Sequence, residues 1–301
     1  MTVPIIRDPE YGYLRIDPVP SAEEVDRYYR EEFYSRSRAN YENDSDLENM
    51  REEAEYHRRT YSDFLSIIRR GVQTGTVLTV ADVGCGYGYW LKYLADHGVK
   101  GYGVEPVSEG IAHLRTLGLE GHCLPIEALA HPPEAKRVSV VTLINVLEHL
   151  REPAKVLQAF RRNWLEPGGY VLLRVPNEFN VLQVTADQAH DLKQWWVVPP
   201  QHINYFSRES LQALFAACGY DVIDAMATFP LEMFLLMDTV YIGNPKLGKE
   251  IHRKRVAFER HLEAADLTDF RHKLYRDFAE IGIGREIIVL AKARAAVRTG
   301  H

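Results

Sequence analysis

Apolar positions fall at helical spacing through the first part of the chain and then change rhythm near residue 77. "SAEEVDRYYREEFY" and "NMREEAEYHRRTYSDFLSIIRR", within residues 21–70, both follow a period near 3.6. Ser21 followed by Glu24 has the pattern of a capping box at a helix start. The acidic stretch 42–55 reads as a solvated helix face. From 77 onward short apolar runs alternate with amphipathic ones. "VLTVADV", "GYGVEP", "EGHCL", "VSVVTLIN" and "YVLLRV" read as buried strands. "YWLKYLADHG", "SEGIAHLRTLG" and "PAKVLQAFRRNWL" between them read as helices. Gly98 stops the first, and Pro153 starts the third, where a missing N–H does no harm. Strands alternating with helices predict an α/β fold: a doubly wound, mostly parallel sheet with helices on both faces.

Residues 177–206 break the alternation. "NEFNVLQVTADQAHDLKQWWVVPPQHINYF" is read as irregular, and a connection of that length usually carries function. "SRESLQALFAACG" returns to helix, "YDVIDAMATF" to strand, 231–280 is mainly helical, and "REIIVLAKA" is a last strand. The expected division is an N-terminal helical lid (1–72), a core (73–176, 207–230 and 281–296) and two substrate-cap insertions (177–206 and 231–280).

Composition narrows the partners. The chain has 301 residues, 46% apolar and 26% charged, as in a globular protein. The net charge is −6, and basic pairs such as Arg58-Arg59 and Arg161-Arg162 are scattered among acids, so no nucleic-acid partner is expected. No apolar run is long enough to span a bilayer, so no membrane is expected either. Three widely spaced cysteines form neither a disulfide framework nor a zinc pattern. Without a leader-like start, a cytoplasmic location is expected.

The chemistry starts at "VADVGCGYGYW", residues 80–90. Gly84, Gly86 and Gly88 follow an apolar strand and precede a helix, which suggests a backbone pressed against a ligand at a helix N-terminus. A dinucleotide fingerprint needs its third glycine at position 89, which is tyrosine, and a phosphate loop needs Gly-Lys-Ser/Thr, which is absent. The tighter spacing suits a ligand without a pyrophosphate.

Here the sequence resembles the class I S-adenosylmethionine-dependent methyltransferases, near the small-molecule, ubiquinone-biosynthesis type. "DVGCGYG", "GVEP", "LPIEAL", "NVLEHLREPAKVL", "LEPGGYVLLRVPN" and "PQHINYFSRESLQALFAACGY" carry the resemblance, in the expected order. It implies a seven-stranded Rossmann-like sheet and S-adenosyl-L-methionine as cofactor. Glu105 would accept both ribose hydroxyls, with Pro106 beside it. Asp82 would meet the ammonium, or cap the glycine turn. Gly84, Cys85 and Gly86 would bring backbone to the methionyl part. Ile126 and Glu127 would line the adenine edge, and Asn145 and Val146 the sulfonium side.

The acceptor must approach the methyl opposite the sulfur, and a hydroxyl acceptor needs a base. Among twelve histidines, His149 and His202 stand at the expected carboxyl end of the sheet and are the candidate catalytic residues. Each has a structural reading too: His149 as part of a helix start, His202 as a loop tie. Glu148, His149 and His202 form an incomplete metal-ligand set, and no metal is expected. Trp195 and Trp196 are read as a stacking surface or as an anchor. Tyr28, Tyr29, Phe33 and Tyr34 are read as lid residues or as one buried helix face. "FLLMDTVY" belongs to the cap or to a homodimer surface. The expectation is methyl transfer to a small-molecule hydroxyl, such as a sugar, a glycan precursor or a secondary metabolite. N- or C-methylation, a macromolecular acceptor and an inactive cofactor-binding protein are the alternatives.

Overall fold

The structure, a computed structural model, describes residues 3–28 and 47–295. Seven strands form the main sheet: β3 (Thr79–Val83), β4 (Lys100–Glu105), β5 (Glu120–Cys123), β6 (Val138–Ile144), β7 (Leu165–Pro176), β9 (Tyr220–Ala227) and β10 (Glu286–Ala293). Their order is β5-β4-β3-β6-β7-β10-β9. All neighbouring pairs from β5 to β7 are parallel, and β10 runs antiparallel to both β7 and β9. The chain winds outward from β3 to β5, then crosses back to β6 on the other side of β3. The crevice for a ligand in such a sheet opens at that reversal, beyond the carboxyl ends of β3 and β6.

The central strands β3, β6, β7 and β10 bury both faces over most of their length, as their continuous apolar runs require, whereas the edge strands β5 and β9 leave several positions exposed. On one face α2 (Leu47–Gly71), α3 (Tyr89–Asp96) and α4 (Ser108–Thr116) pack with Val80, Val140, Leu172 and Leu290. On the other, α5 (Pro153–Ala159) and α7 (Arg208–Ala217) pack with Val141, Leu143, Leu173 and Val289. Trp164, fully buried, closes the π-helical turn that continues α5.

The N-terminal region departs from the expected helical lid. Residues Ile5–Arg7 (β1) and Leu14–Ile16 (β2) form a hairpin that is extended by Asn204–Tyr205 (β8) into a small antiparallel sheet. Helix α1 (Ala22–Tyr28) follows, and Ser21 and Glu24 exchange the two capping-box hydrogen bonds at 2.7 and 3.2 Å. Phe64, Leu65, Ile67 and Ile68 in the C-terminal half of α2 are core residues, so this half of the helix covers the sheet. Tyr29, Phe33 and Tyr34 lie outside the described residues.

The insertion 177–206 is more regular than its composition suggests. It contains α6 (Val181–His190), capped by Asn180, whose side chain accepts from Gln183 N. Trp196 is 2% exposed and packs with Ile16, Ile203 and Tyr205 in a separate small core, which makes it an anchor for the hairpin. The second insertion holds α8 (Glu232–Leu236), α9 (Pro245–Ala264) and α10 (Thr268–Glu280). Asp63 of α2 binds both guanidinium nitrogens of Arg271 and the ring of His272, all at 2.7 Å, and so ties α10 to α2.

Candidate active site

The three glycines have three different surroundings. All have positive φ (77°, 52° and 81°), which strains any residue with a Cβ. A Cβ on Gly84 would stand 2.4 Å from Val146 Cγ2, and one on Gly88 would stand 2.0 Å from Leu114 Cδ1. Both positions are glycine because the protein itself fills the space. A Cβ on Gly86 would meet nothing within 4 Å. Gly86 alone faces open space, as a ligand-contacting glycine must.

Two carboxylates flank this turn. Glu105 ends β4 and is 4% exposed. Its oxygens accept from Gly86 N at 3.0 Å and Val107 N at 3.2 Å, so one carboxylate holds the glycine turn and the start of α4 in fixed register. A Cβ on Gly110 of α4 would meet Gly86 O at 2.6 Å and Glu105 Cγ at 3.0 Å, so that helix must also come in close. Asp82 in β3 pairs in register with Thr142 of β6 and accepts its hydroxyl at 2.6 Å. Burial pushes the Asp82 carboxyl up to about 7; the charge of Glu105 adds to this, and the Thr142 hydrogen bond opposes it. A buried carboxyl held near half-ionisation suits a cationic partner such as an amino group. Glu105 and Asp82, with open space at Gly86, therefore fit a ligand with a diol at one end and an ammonium at the other.

The remaining cofactor candidates lie on the turns that follow β3, β4, β5 and β6. Cys85 is buried, its sulfur packs where a Cβ on Gly103 would be, and burial raises its thiol well above the usual range. Its side chain is thus core, and only its backbone is left for the ligand. Pro106 is exposed just past β4. Ile126 is half-buried, 3.6 Å from the place of a Cβ on Gly84, and Glu127 beside it accepts from Arg151 N. Asn145 follows β6 with φ 55°, and its N–H donates to Arg174 O of β7 at 2.8 Å. Val146 is buried against Gly84.

The histidines meet because the insertion returns onto the turn after β6. Ile203 N donates to Glu148 O at 2.9 Å. Asn204 Nδ2 donates to Leu150 O at 2.6 Å and Leu147 O at 3.3 Å. This places the rings of His149 and His202 5.2 Å apart, edge to face. His149 Nδ1–H donates to the Gln201 carbonyl at 2.6 Å, and burial first, then His202, lowers its pKa to about 4. It is a neutral ring with a structural tie. His202 Nδ1 instead faces a carboxylate, Glu178 Oε1, at 3.2 Å. Glu178 is absent from the sequence reading. It follows β7 in a stretch with no motif, and only the folded chain brings it to His202.

Ligand atoms of Glu148, His149 and His202 all lie within 4.8 Å of one another, close enough to hold one divalent cation. Glu148 is 1% exposed, and burial raises its pKa well above the usual carboxyl range. A cation in the cluster would reverse that shift. Two imidazoles and a carboxylate suit zinc or manganese better than magnesium.

A doubly wound sheet with a glycine turn and an acid ending the second core strand is the frame of a nucleoside-cofactor enzyme. The particular family follows from comparison. A methyltransferase-domain family model matches residues 36–225, more than half of the chain, and the chain belongs to that family. Its enzymes use S-adenosyl-L-methionine. The chain is 31% identical over 148 residues to a ubiquinone biosynthesis O-methyltransferase of Stutzerimonas stutzeri, a match covering 44% of this chain and 62% of that protein. It is 27% identical over 150 residues to a tRNA U34 carboxymethyltransferase of Aeromonas hydrophila, covering 47% and 44%. The matched stretches thus span about half the length of these curated relatives. The fold matches that of the plantazolicin methyltransferase in complex with SAH, with TM-score 0.52 and 12% identity over 90% of this chain and 94% of that one.

Proposed function

We propose that the protein transfers a methyl group from S-adenosyl-L-methionine to a hydroxyl of a small molecule, with His202 as the base. The observation that carries this reading is the pairing of His202 with a buried carboxylate beside the turn after β6. Glu105 binds the ribose hydroxyls, Asp82 the ammonium, and Gly86 leaves room for the methionyl chain. Ile126 and Glu127 line the adenine, and Asn145 and Val146 the sulfonium. The bound cofactor supplies an electrophilic methyl. The chain's part is to hold it in line with the acceptor oxygen, exclude water and take the proton.

The test uses methyl-labelled S-adenosyl-L-methionine with a metabolite extract and with total tRNA in parallel. Label in a low-molecular-weight methyl ether supports the proposal. Label that disappears from the product only after nuclease treatment moves the acceptor to the tRNA class of the second relative. The clustering of Glu148, His149 and His202 supports a second reading, in which a divalent cation binds the acceptor oxygen. Chelation then abolishes turnover and added zinc or manganese restores it, whereas the metal-free base is indifferent to both.

A further inference from the structure

We infer that Glu178 is a positioning residue: it keeps the His202 proton on Nδ1 and so leaves Nε2 as the nitrogen that serves the acceptor. The inference rests on the reading of His202 as the acceptor-side group. It holds equally if Nε2 takes a proton or a cation, because either needs the lone pair on that nitrogen.

Glu178 is 3% exposed, and the backbone on both sides of it is fixed. Asn177 N donates to Arg285 O at 3.0 Å, and Asn177 Nδ2 donates to Gly284 O and Gly282 O at 3.0 and 3.2 Å. Phe179 has φ 60°, and its N–H donates to Gln183 Oε1 at 2.6 Å. Asn180 Nδ2 closes the turn onto Asn177 O at 2.7 Å. The turn is therefore held by its neighbours and does not depend on the Glu178 side chain. That side chain spends one oxygen on His202, and the other has no hydrogen-bond partner. Burying a carboxyl with an unpartnered oxygen is costly, and a purely structural tie has cheaper solutions. His149 shows one of them, a backbone carbonyl.

The two histidine partners differ in what they do to a proton. An ionised carboxylate accepts but cannot donate, so it fixes the Nδ1–H tautomer, and its charge stabilises the imidazolium that forms on proton uptake. A carbonyl fixes the tautomer with less charge stabilisation. In the transfer the acceptor oxygen forms its bond to the methyl carbon as the carbon–sulfur bond breaks, and that electron pair stays on sulfur. The acceptor proton passes to His202 Nε2, while Nδ1–H stays hydrogen-bonded to Glu178 Oε1.

The experiment is nitrogen-detected NMR of His202 in the protein saturated with S-adenosylhomocysteine, in wild type, Glu178→Gln and Glu178→Asp. Wild type should show a single tautomer with the proton on Nδ1. Glu178→Gln, whose amide also donates, should show the other tautomer or a mixture, and Glu178→Asp should keep the wild-type signature. Label transfer from methyl-labelled S-adenosyl-L-methionine should fall by about 10–100-fold in Glu178→Gln with unchanged S-adenosylhomocysteine affinity, as when other histidine-orienting carboxylates are lost. In a His202→Ala background Glu178→Gln should cause no further loss. A wild-type proton on Nε2, or an equal further loss in the His202→Ala background, overturns the inference. If the wild type transfers no label, the methyltransferase reading fails, while the tautomer measurement still decides the role of Glu178.

Discussion

Gly84, Gly86 and Gly88 look equivalent in the sequence, and the structure separates them. Alanine at Gly84 or Gly88 adds positive-φ strain to a clash with Val146 or Leu114, and each should lower stability by about 2–4 kcal/mol. Alanine at Gly86 adds only the strain, about 1–2 kcal/mol, and should lose most of its cofactor binding because its methyl occupies the open space. Denaturant midpoints and calorimetry with S-adenosylhomocysteine measure both effects. Equal binding loss at all three positions would remove the distinction. Asp82 gives a pH signature. Its folded pKa, about 7, lies above the ordinary aspartate value of 3.8, so between those pH values the unfolded chain releases a proton that the fold retains. This carboxyl therefore costs stability increasingly from pH 4 to 7, with no cost below and the full cost above. On the proposed function an ammonium binds beside it and favours the ionised form, so cofactor affinity should rise with pH up to about 7. At pH 6 binding should release protons, detected as a buffer-dependent binding enthalpy, and Asp82→Asn should abolish the release.

Elements were legible where burial followed a period. The main-sheet strands stand out as short apolar or alternating runs, and their reading from sequence agrees with the structure to within a few residues, apart from the longer start of β7. Strands β1 and β2 have three residues each and β8 two, too short for any period to show. Helix α6 was hidden for another reason. Its buried residues are Gln183 and Ala186, while Val181 is 62% exposed, so polarity along α6 runs against burial. Its cap is the readable signal, since Asn180 accepts from Gln183 N three residues on. Asn180→Ala should cost about 1 kcal/mol, read as a lower denaturant midpoint at unchanged slope. The site was legible to a similar degree. The glycine turn, Glu105 and the two histidines stand in local motifs, whereas Glu178 becomes a partner of His202 only when the insertion folds back on the turn after β6.

For the whole molecule, the site is built from segments far apart in the chain, so occupying it should stabilise the entire fold. Asp82 is held from β6, Gly86 by the acid that ends β4, and that acid also holds the start of α4. A ligand bound across these elements favours the folded chain by RT ln(1 + [L]/Kd), about 2.7 kcal/mol at a hundredfold excess over Kd. S-adenosylhomocysteine at that excess should therefore raise the melting temperature by several degrees. NAD should not. The residue at position 89, where a dinucleotide fingerprint has its third glycine, is a tyrosine at the first turn of α3, and the Gly88 position is already filled by Leu114. Glu105→Ala separates binding from folding. It removes the acceptor for two backbone N–H groups and, on the proposed function, a charge-assisted contact to the ribose, so S-adenosylhomocysteine affinity should fall by about tenfold to a hundredfold, or ~1.5–3 kcal/mol. The melting shift at a fixed ligand concentration should shrink accordingly. A shift by NAD equal to that by S-adenosylhomocysteine, or an unchanged shift in a folded Glu105→Ala protein, would place the cofactor elsewhere on the molecule.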